Sequence, residues 1–255
     1  MKYDFLLENI ENINDINKII INLSGGLDST ILIYFLKNYF GSNKIHAISF
    51  DYNQKHNFIE LYQSKKTTSK LNIKHTIIPI PFLGIITRSS SSLIKYGIQT
   101  PSYEDITNNS KKLTTYVPFR NLIFSSITLS FAESINANSI ALGLQYGDYE
   151  NKKYEYWDCS PLFLSKLQEI VSLNSKKKMY IFAPFINLKK EDEISIAKEL
   201  NVPFEDTWTC YNPTIRTFEN KRIYIPCDKC PSCVSRKNAF YIKKTADPLV
   251  NGVII

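Results

Sequence analysis

A doubly wound α/β fold, a parallel sheet covered by helices with a small C-terminal appendage, is predicted by three features of the sequence. Short apolar runs suited to buried strands recur roughly every 25 to 35 residues and alternate with helix-period segments, as βαβ units require. The run Ile19-Ile20-Ile21-Asn22-Leu23 breaks into Ser24-Gly25-Gly26-Leu27-Asp28-Ser29-Thr30 and resumes as Ile31 to Leu36, which reads as a strand, a tight turn and the start of a helix. Four of the five cysteines crowd between Cys210 and Cys233 and mark a separate C-terminal unit. Residues 1–200 are therefore assigned to the α/β domain and 201–255 to the appendage.

Size and composition restrict what the chain can be. With 255 residues, 44% of them hydrophobic, it can bury a substantial single core. No run of about 18 uncharged apolar residues is present, and Met1-Lys2-Tyr3-Asp4 lacks the basic-then-apolar layout of a signal peptide. A cytoplasmic protein is the expectation, with no membrane partner. In that setting five cysteines point to metal or chemistry rather than disulfides. The net charge of +7 favours anionic ligands. Its lysines, however, lie in separate segments (Lys65-Lys66, Lys111-Lys112, Lys152-Lys153 and Lys176-Lys177-Lys178) without interleaved aromatic residues, so they read as solvated surface and not as a nucleic-acid groove.

Taken in order, residues 1–18 are a polar lead-in arm or helix. In Ser24 to Ser29 the two glycines allow backbone angles that a Cβ resists, and they let consecutive N–H groups approach an anion. The following helix turns its unpaired N–H groups and positive dipole end to the same point. Ser24, Ser29 and Thr30 add hydroxyls, and Asp28 can cap the helix or sit beside magnesium. The Gly-Lys-Ser/Thr ending of a Walker loop is absent. An ordinary capped turn would explain the glycines, but not the order Ser-Gly-Gly-x-Asp-Ser.

A helix from Asp28 to Tyr39 ends at Gly41, and a second strand, Lys44 to Phe50, delivers Asp51, Tyr52, Asn53, Gln54 and His56 to its carboxyl end, where open α/β sheets bind ligands. His56 reads equally well as a helix-start or surface histidine. Helix Glu60 to Leu71 and strand His75 to Ile80 precede a long irregular stretch, Phe82 to Thr115, that suits a lid or a surface excursion. Ile123, Ile127, Phe131 and Ile135 recur at steps of four and define a helix whose first turn carries Arg120 and Asn121. A cation there opposes the helix dipole, which favours contact with an anionic ligand. Strand Ser139 to Gly143 leads to Leu144-Gln145-Tyr146-Gly147-Asp148, and Asp158-Cys159-Ser160-Pro161 opens a helix through Phe163, Leu167 and Ile170. A strand from Lys178 to Phe185 and a helix from Lys190 to Leu200, acidic in its first turn, complete the domain.

Cys227-Asp228-Lys229-Cys230-Pro231-Ser232-Cys233 holds two overlapping C-x-x-C steps, and Cys210 supplies a fourth thiolate. A closed tetrahedral zinc site fits this set, with an iron–sulfur cluster as the rival. Zinc would fold a module that has little core of its own. Cys159 reads as a buried thiol and not as a nucleophile.

Ser24-Gly25-Gly26-Leu27-Asp28-Ser29 resembles the pyrophosphate-binding loop of the ATP pyrophosphatases. Together with Phe50-Asp51-Tyr52-Asn53-Gln54-Lys55-His56, Tyr116-Val117-Pro118-Phe119-Arg120-Asn121, Asp158-Cys159, Thr207-Trp208-Thr209-Cys210-Tyr211-Asn212 and the cysteine triplet, it makes the chain from about Lys18 to Pro248 similar to the QueC family of 7-cyano-7-deazaguanine synthases. The resemblance implies an adenine nucleotide alpha hydrolase-like domain with a zinc module, often dimeric. It implies a ligase that uses ATP and Mg2+ to turn 7-carboxy-7-deazaguanine and ammonia into the nitrile through the amide, in queuosine precursor synthesis. On that basis Leu23 to Thr30 hold the nucleotide, with Ser24, Asp28, Ser29 and Arg120 catalytic. Asp51, Gln54, His56, Arg120, Asn121 and Asp158 bind substrate, and Cys210, Cys227, Cys230 and Cys233 bind Zn2+. The family's usual glycines stand here as Asn53 and Phe119, its usual arginine after Asp-Cys is Ser160, and the segment Tyr149 to Trp157 is longer and more basic. These departures keep open a relative that stops at the amide or passes the activated ring to another amine such as a protein N-terminus, as QueC-like members of antiphage systems do; the basic surface and the zinc module keep open a second alternative, a tRNA-binding or tRNA-modifying protein.

Overall fold

The computed structural model describes residues 3–7, 13–107, 114–146 and 156–255. The Lys111-Lys112 and Lys152-Lys153 pairs and most of the segment Tyr149 to Trp157 lie outside them. The lead-in expected as an arm or helix holds short 3-10 turns at Asp4–Leu7 and Ile13–Asp15.

The first strand, β1 (Ile19–Asn22), is followed by α1 (Leu27–Phe40), β2 (Ile45–Asp51), α2 (Asn57–Leu71) and β3 (Lys74–Pro79). After two short helices, α3 (Pro81–Thr87) and α4 (Tyr103–Thr107), come α5 (Arg120–Ser134), β4 (Ser139–Ala141), α6 (Pro161–Ser172), β5 (Tyr180–Phe182) and α7 (Lys190–Glu199). The strands form one parallel sheet in the order β3-β2-β1-β4-β5. In β1 the isoleucines are fully buried on both faces, as the centre of a covered parallel sheet demands. Ile19 and Ile21 face α1, α7 and a C-terminal helix, α8 (Pro231–Ile242), through Phe35, Ile194 and Phe240; Ile20 faces α5 and α6 through Ala132, Phe163 and Leu167. The chain winds outward from β1 through β2 to β3, then returns to β4 on the other side. The gap between the carboxyl ends of β1 and β4 is the switch point where such sheets bind ligands.

Two expectations differ from the structure. The stretch Phe82 to Thr115 is not irregular throughout: α3 and α4 fall within it. In α3 the periodicity was hidden because Ile85 and Ile86 are 71% and 66% exposed, while Gly84 packs so closely that a Cβ would lie 2.3 Å from the Tyr52 carbonyl oxygen. The cysteine-bearing region also carries a small antiparallel sheet, β6 (Thr214–Phe218), β7 (Lys221–Ile225) and β8 (Val253–Ile254). Every residue of β6 is exposed, so no buried face imposes the alternation by which strands are read.

On β2, the Ser49 hydroxyl donates to the Leu23 carbonyl and lies 2.7 Å from His75 Nε2 on β3. Burial, with Lys65 and His46 adding to it, lowers the His75 pKa to about 4. Because the folded value lies below the ordinary one, protonation favours the unfolded chain. Stability contributed by neutral His75 should therefore be present above about pH 6.5 and lost as pH falls toward 4. Urea midpoints across that window should fall for the native chain and fall less for His75→Gln.

Candidate active site

A cavity of about 310 Å3 opens at the switch point, bounded by the loop after β1, the ends of β2 and β4, the start of α5, and the starts of α7 and α8. The glycine-rich loop forms one wall. Gly25 has φ +77°, and a Cβ there would sit 2.3 Å from the Glu60 carbonyl oxygen, so the loop can fold back this tightly only with glycine. Its carbonyl accepts from Trp208 N–H at 2.8 Å, which ties the loop to the cysteine-bearing region. Gly26 precedes α1 and offers no side-chain cap, leaving the helix's first N–H groups directed toward the cavity end. Ser24 and Ser29 converge there with their hydroxyls 3.0 Å apart, and Gly26 N–H donates to Ser24 Oγ at 3.1 Å. Leu23, Ser24, Gly26, Leu27, Asp28 and Ser29 line the cavity; Thr30 is buried outside the lining.

Asp28 pairs directly with Lys190, the first residue of α7. Burial alone would raise its pKa, but Lys190 and a hydrogen bond with Glu193 hold it below the ordinary value. Glu193 is fully buried, its Oε2 4.0 Å from Lys190 Nζ and its Oε1 accepting from Gln145 Nε2 at 2.8 Å. Lys190 and Gln145 line the cavity, and neither was singled out from sequence. The signal available was Glu193 itself: it shares a helix face with Ala197 and Leu200, so a carboxylate falls where the pattern calls for an apolar residue.

The opposite lobe is ringed by aromatic side chains, Tyr52, Phe124, Tyr156 and Tyr211, around Arg120. Burial works against the charged guanidinium, yet Tyr52, Tyr211, Cys159 and Asp158 hold its pKa above the usual value. Asn121 fixes the wall beside it: its side-chain amide donates to the Asp158 carbonyl and to Cys159 Sγ, both at 3.2 Å. The Asp158 carboxylate accepts from Asn121 N–H at 3.2 Å, so it caps α5 from a neighbouring segment and lies outside the lining. Asp51 is also outside, accepting from Asn53 N–H and from the Asn57 side-chain amide, both at 3.2 Å. Gln54 and His56 do line the cavity, both held by Glu60: Gln54 Nε2 donates to Oε2 at 3.1 Å, and His56 Nε2 is 3.4 Å from Oε1. Burial, with Asp158 adding to it, pushes the Cys159 thiol up to about 12, so it is protonated at neutral pH and a poor nucleophile.

The sulfurs of Cys210, Cys227, Cys230 and Cys233 all lie within 4.8 Å of one another and can hold a metal ion. Backbone N–H groups aim at them: Asn212 and Cys227 donate to Cys210 Sγ at 3.3 and 3.2 Å, and Cys230 donates to Cys227 Sγ at 3.4 Å. Such donors favour thiolates, the form that binds metal. Residues next to the cluster in the chain form part of the cavity wall. Trp208, Thr209 and Tyr211 flank Cys210, and α8, which begins immediately after Cys230, contributes Ser232, Ser235 and Arg236. Arg236 is buried and bonded to Asp247 through both Nε and a terminal nitrogen at 2.8 Å, and to the Thr207 and Thr209 hydroxyls at 2.7 and 3.0 Å.

The family model described as "Queuosine biosynthesis protein QueC" matches residues 18–244. A 7-cyano-7-deazaguanine synthase of Aquifex aeolicus is 36% identical over 228 residues, covering 87% of this chain and 95% of the relative. One from Leptospira interrogans is 37% identical over 236 residues, covering 88% and 86%. Among solved structures, an NH3-dependent NAD synthetase from Campylobacter jejuni in complex with nitrate aligns with a TM-score of 0.42 at 18% identity, covering 78% of this chain and 70% of that one. No helix of the described residues is long and apolar enough to cross a membrane.

Cys230→Ser should lower bound metal, measured by elemental analysis, and reduce the melting temperature by more than about 5 °C, since a structural metal contributes folding energy directly.

Proposed function

The chain belongs to the QueC family, and we propose that it activates the carboxylate of 7-carboxy-7-deazaguanine with ATP and converts it, through the amide, to the nitrile. The observation that carries this reading is the joining, in one cavity, of an uncapped helix N-terminus with converging serines and an aromatic lobe around Arg120. The first suits a pyrophosphate, the second a flat heteroaromatic ring bearing a carboxylate.

In the reaction proposed, a carboxylate oxygen attacks the α-phosphorus and pyrophosphate departs, leaving an acyl adenylate. Ser24, Ser29 and the first N–H groups of α1 receive the charge that develops on the leaving group. Arg120 orients the carboxylate, and Asn121 holds the Cys159 segment in place. Ammonia then attacks the acyl carbon, and AMP leaves with the displaced oxygen. The amide oxygen attacks a second ATP, releasing pyrophosphate, and loss of AMP and two protons yields the nitrile. Asp28, 32% exposed on the same cavity wall as Ser24 and Ser29, offers the hard oxygen donor that magnesium prefers, and the metal would neutralise charge on the phosphates. The four sulfurs fit a single Zn2+, because Zn–S bonds of about 2.3 Å place tetrahedral sulfurs ~3.8 Å apart.

Three of the departures, Asn53, Phe119 and Ser160, sit outside the cavity lining and leave the proposed route to the nitrile open. Asn53 and Phe119 keep left-handed backbone angles, φ 64° and 55°, where glycine is usual, so the chain path survives. Ser160 caps α6, accepting from Phe163 N–H at 3.1 Å.

Mass analysis of products from ATP, 7-carboxy-7-deazaguanine and ammonium should find the nitrile with two AMP per turnover and no added tRNA. Accumulated amide, a conjugate with a supplied peptide amine, or a requirement for tRNA would each contradict the reading. Asp28→Ala should reduce AMP formation about a hundredfold or more while leaving the sulfur-bound metal in place.

A further inference from the structure

Lys190 joins the site from α7, an element remote in sequence from the glycine-rich loop. Its ammonium lies against the partly open carboxylate of Asp28, and its side chain is only 14% exposed. One helical turn further, the fully buried carboxylate of Glu193 has an oxygen 4.0 Å from the same nitrogen. Gln145 fastens the other oxygen of Glu193 at 2.8 Å, so that this carboxylate cannot swing away. One ammonium thus stands between two carboxylates, one facing the cavity and one behind it.

We propose that Lys190 is an exchangeable internal counter-cation for Asp28: nucleotide phosphates draw the ammonium off, and only then does Asp28 accept a divalent cation. Free metal is thereby kept out of the site and enters with the nucleotide. This deepens the proposed function and rests on the assignment of Asp28 to magnesium.

Charge accounting supports the exchange. An ammonium against Asp28 opposes a divalent ion there and occupies the oxygen that such an ion would need. Without the ammonium the Asp28 carboxylate is open to a hard divalent cation. A lysine that leaves Asp28 is not stranded, because Glu193 remains beside it and the phosphates arriving at the start of α1 supply further negative charge. A purely structural role for the pair is the competing account. The contact between α1 and α7 is already apolar, with Ile31, Phe35, Ile194 and Ala197 in one buried cluster, and does not depend on the ion pair.

The two accounts differ in metal binding without catalysis. Mn2+ binding to the protein with its sulfur-bound metal in place should be followed by electron paramagnetic resonance, with and without a non-hydrolysable ATP analogue. Native protein should bind Mn2+ weakly alone and strongly with the analogue. Lys190→Met should bind Mn2+ alone at least about tenfold more tightly than native protein, since a unit charge a few ångströms away has been removed. Adding Asp28→Asn should abolish the gain, and Lys190→Gln should reproduce it if the methionine variant folds poorly by circular dichroism. Equal Mn2+ affinity in native protein and both Lys190 variants would overturn the exchange. Absence of any protein-bound Mn2+ with the analogue in native protein would instead refute the assignment of Asp28 to the metal.

Discussion

Gly25 ties the loop after β1 both to α2 and to the cysteine-bearing region. Its backbone lies too close to the Glu60 carbonyl for any side chain, and its own carbonyl accepts from Trp208 N–H at 2.8 Å. The first contact forces the loop after β1 to fold back over the sheet end. The second links it to the residues that precede Cys210. The loop and the residues before Cys210 are therefore joined at this peptide group, and Trp208 is almost completely buried where they meet. Metal at the cysteines would stabilise a wall of the cavity without touching the reacting atoms.

Electrostatics divides the cavity into two lobes with different tasks. Near α1, the helix N-terminus and Lys190 face the carboxyl groups of Asp28 and Glu193, the setting in which the proposed reaction would place phosphates and a hard cation. Near α5, Arg120 keeps its charge among aromatic rings, and its position at the start of the helix is offset by Asp158, whose carboxylate accepts from the next N–H. The dipole penalty that first drew attention to Arg120 is thus compensated locally, leaving the guanidinium available on the cavity side.

The architecture was legible because a doubly wound sheet writes itself as isoleucine-rich strands, helix-period segments and glycine turns, and each main strand appears within a few residues of its expected place. Short-range motifs were legible for the same reason: Ser24 to Ser29 and Cys227 to Cys233 close their geometry within one turn. What sequence could not convey was tertiary convergence. Lys190 reaches Asp28, and Gln145 reaches Glu193, from distant segments, and only the carboxylate of Glu193 on an otherwise apolar helix face hints at it. Conversely, Asp51 and Asp158 stand in motifs near the site, yet spend their carboxylates on backbone and side-chain amides outside the cavity. Strand β6 was hidden because a strand exposed throughout lacks the burial pattern that reveals it.

The central claim, that this cavity joins a carboxylate oxygen to the α-phosphorus of ATP, has a direct test in oxygen transfer. With 7-carboxy-7-deazaguanine labelled with 18O in its carboxylate, the account predicts that one labelled oxygen per turnover of the first step is recovered in AMP. Label retained entirely in the deazaguanine product, or recovered in pyrophosphate or inorganic phosphate, would contradict it.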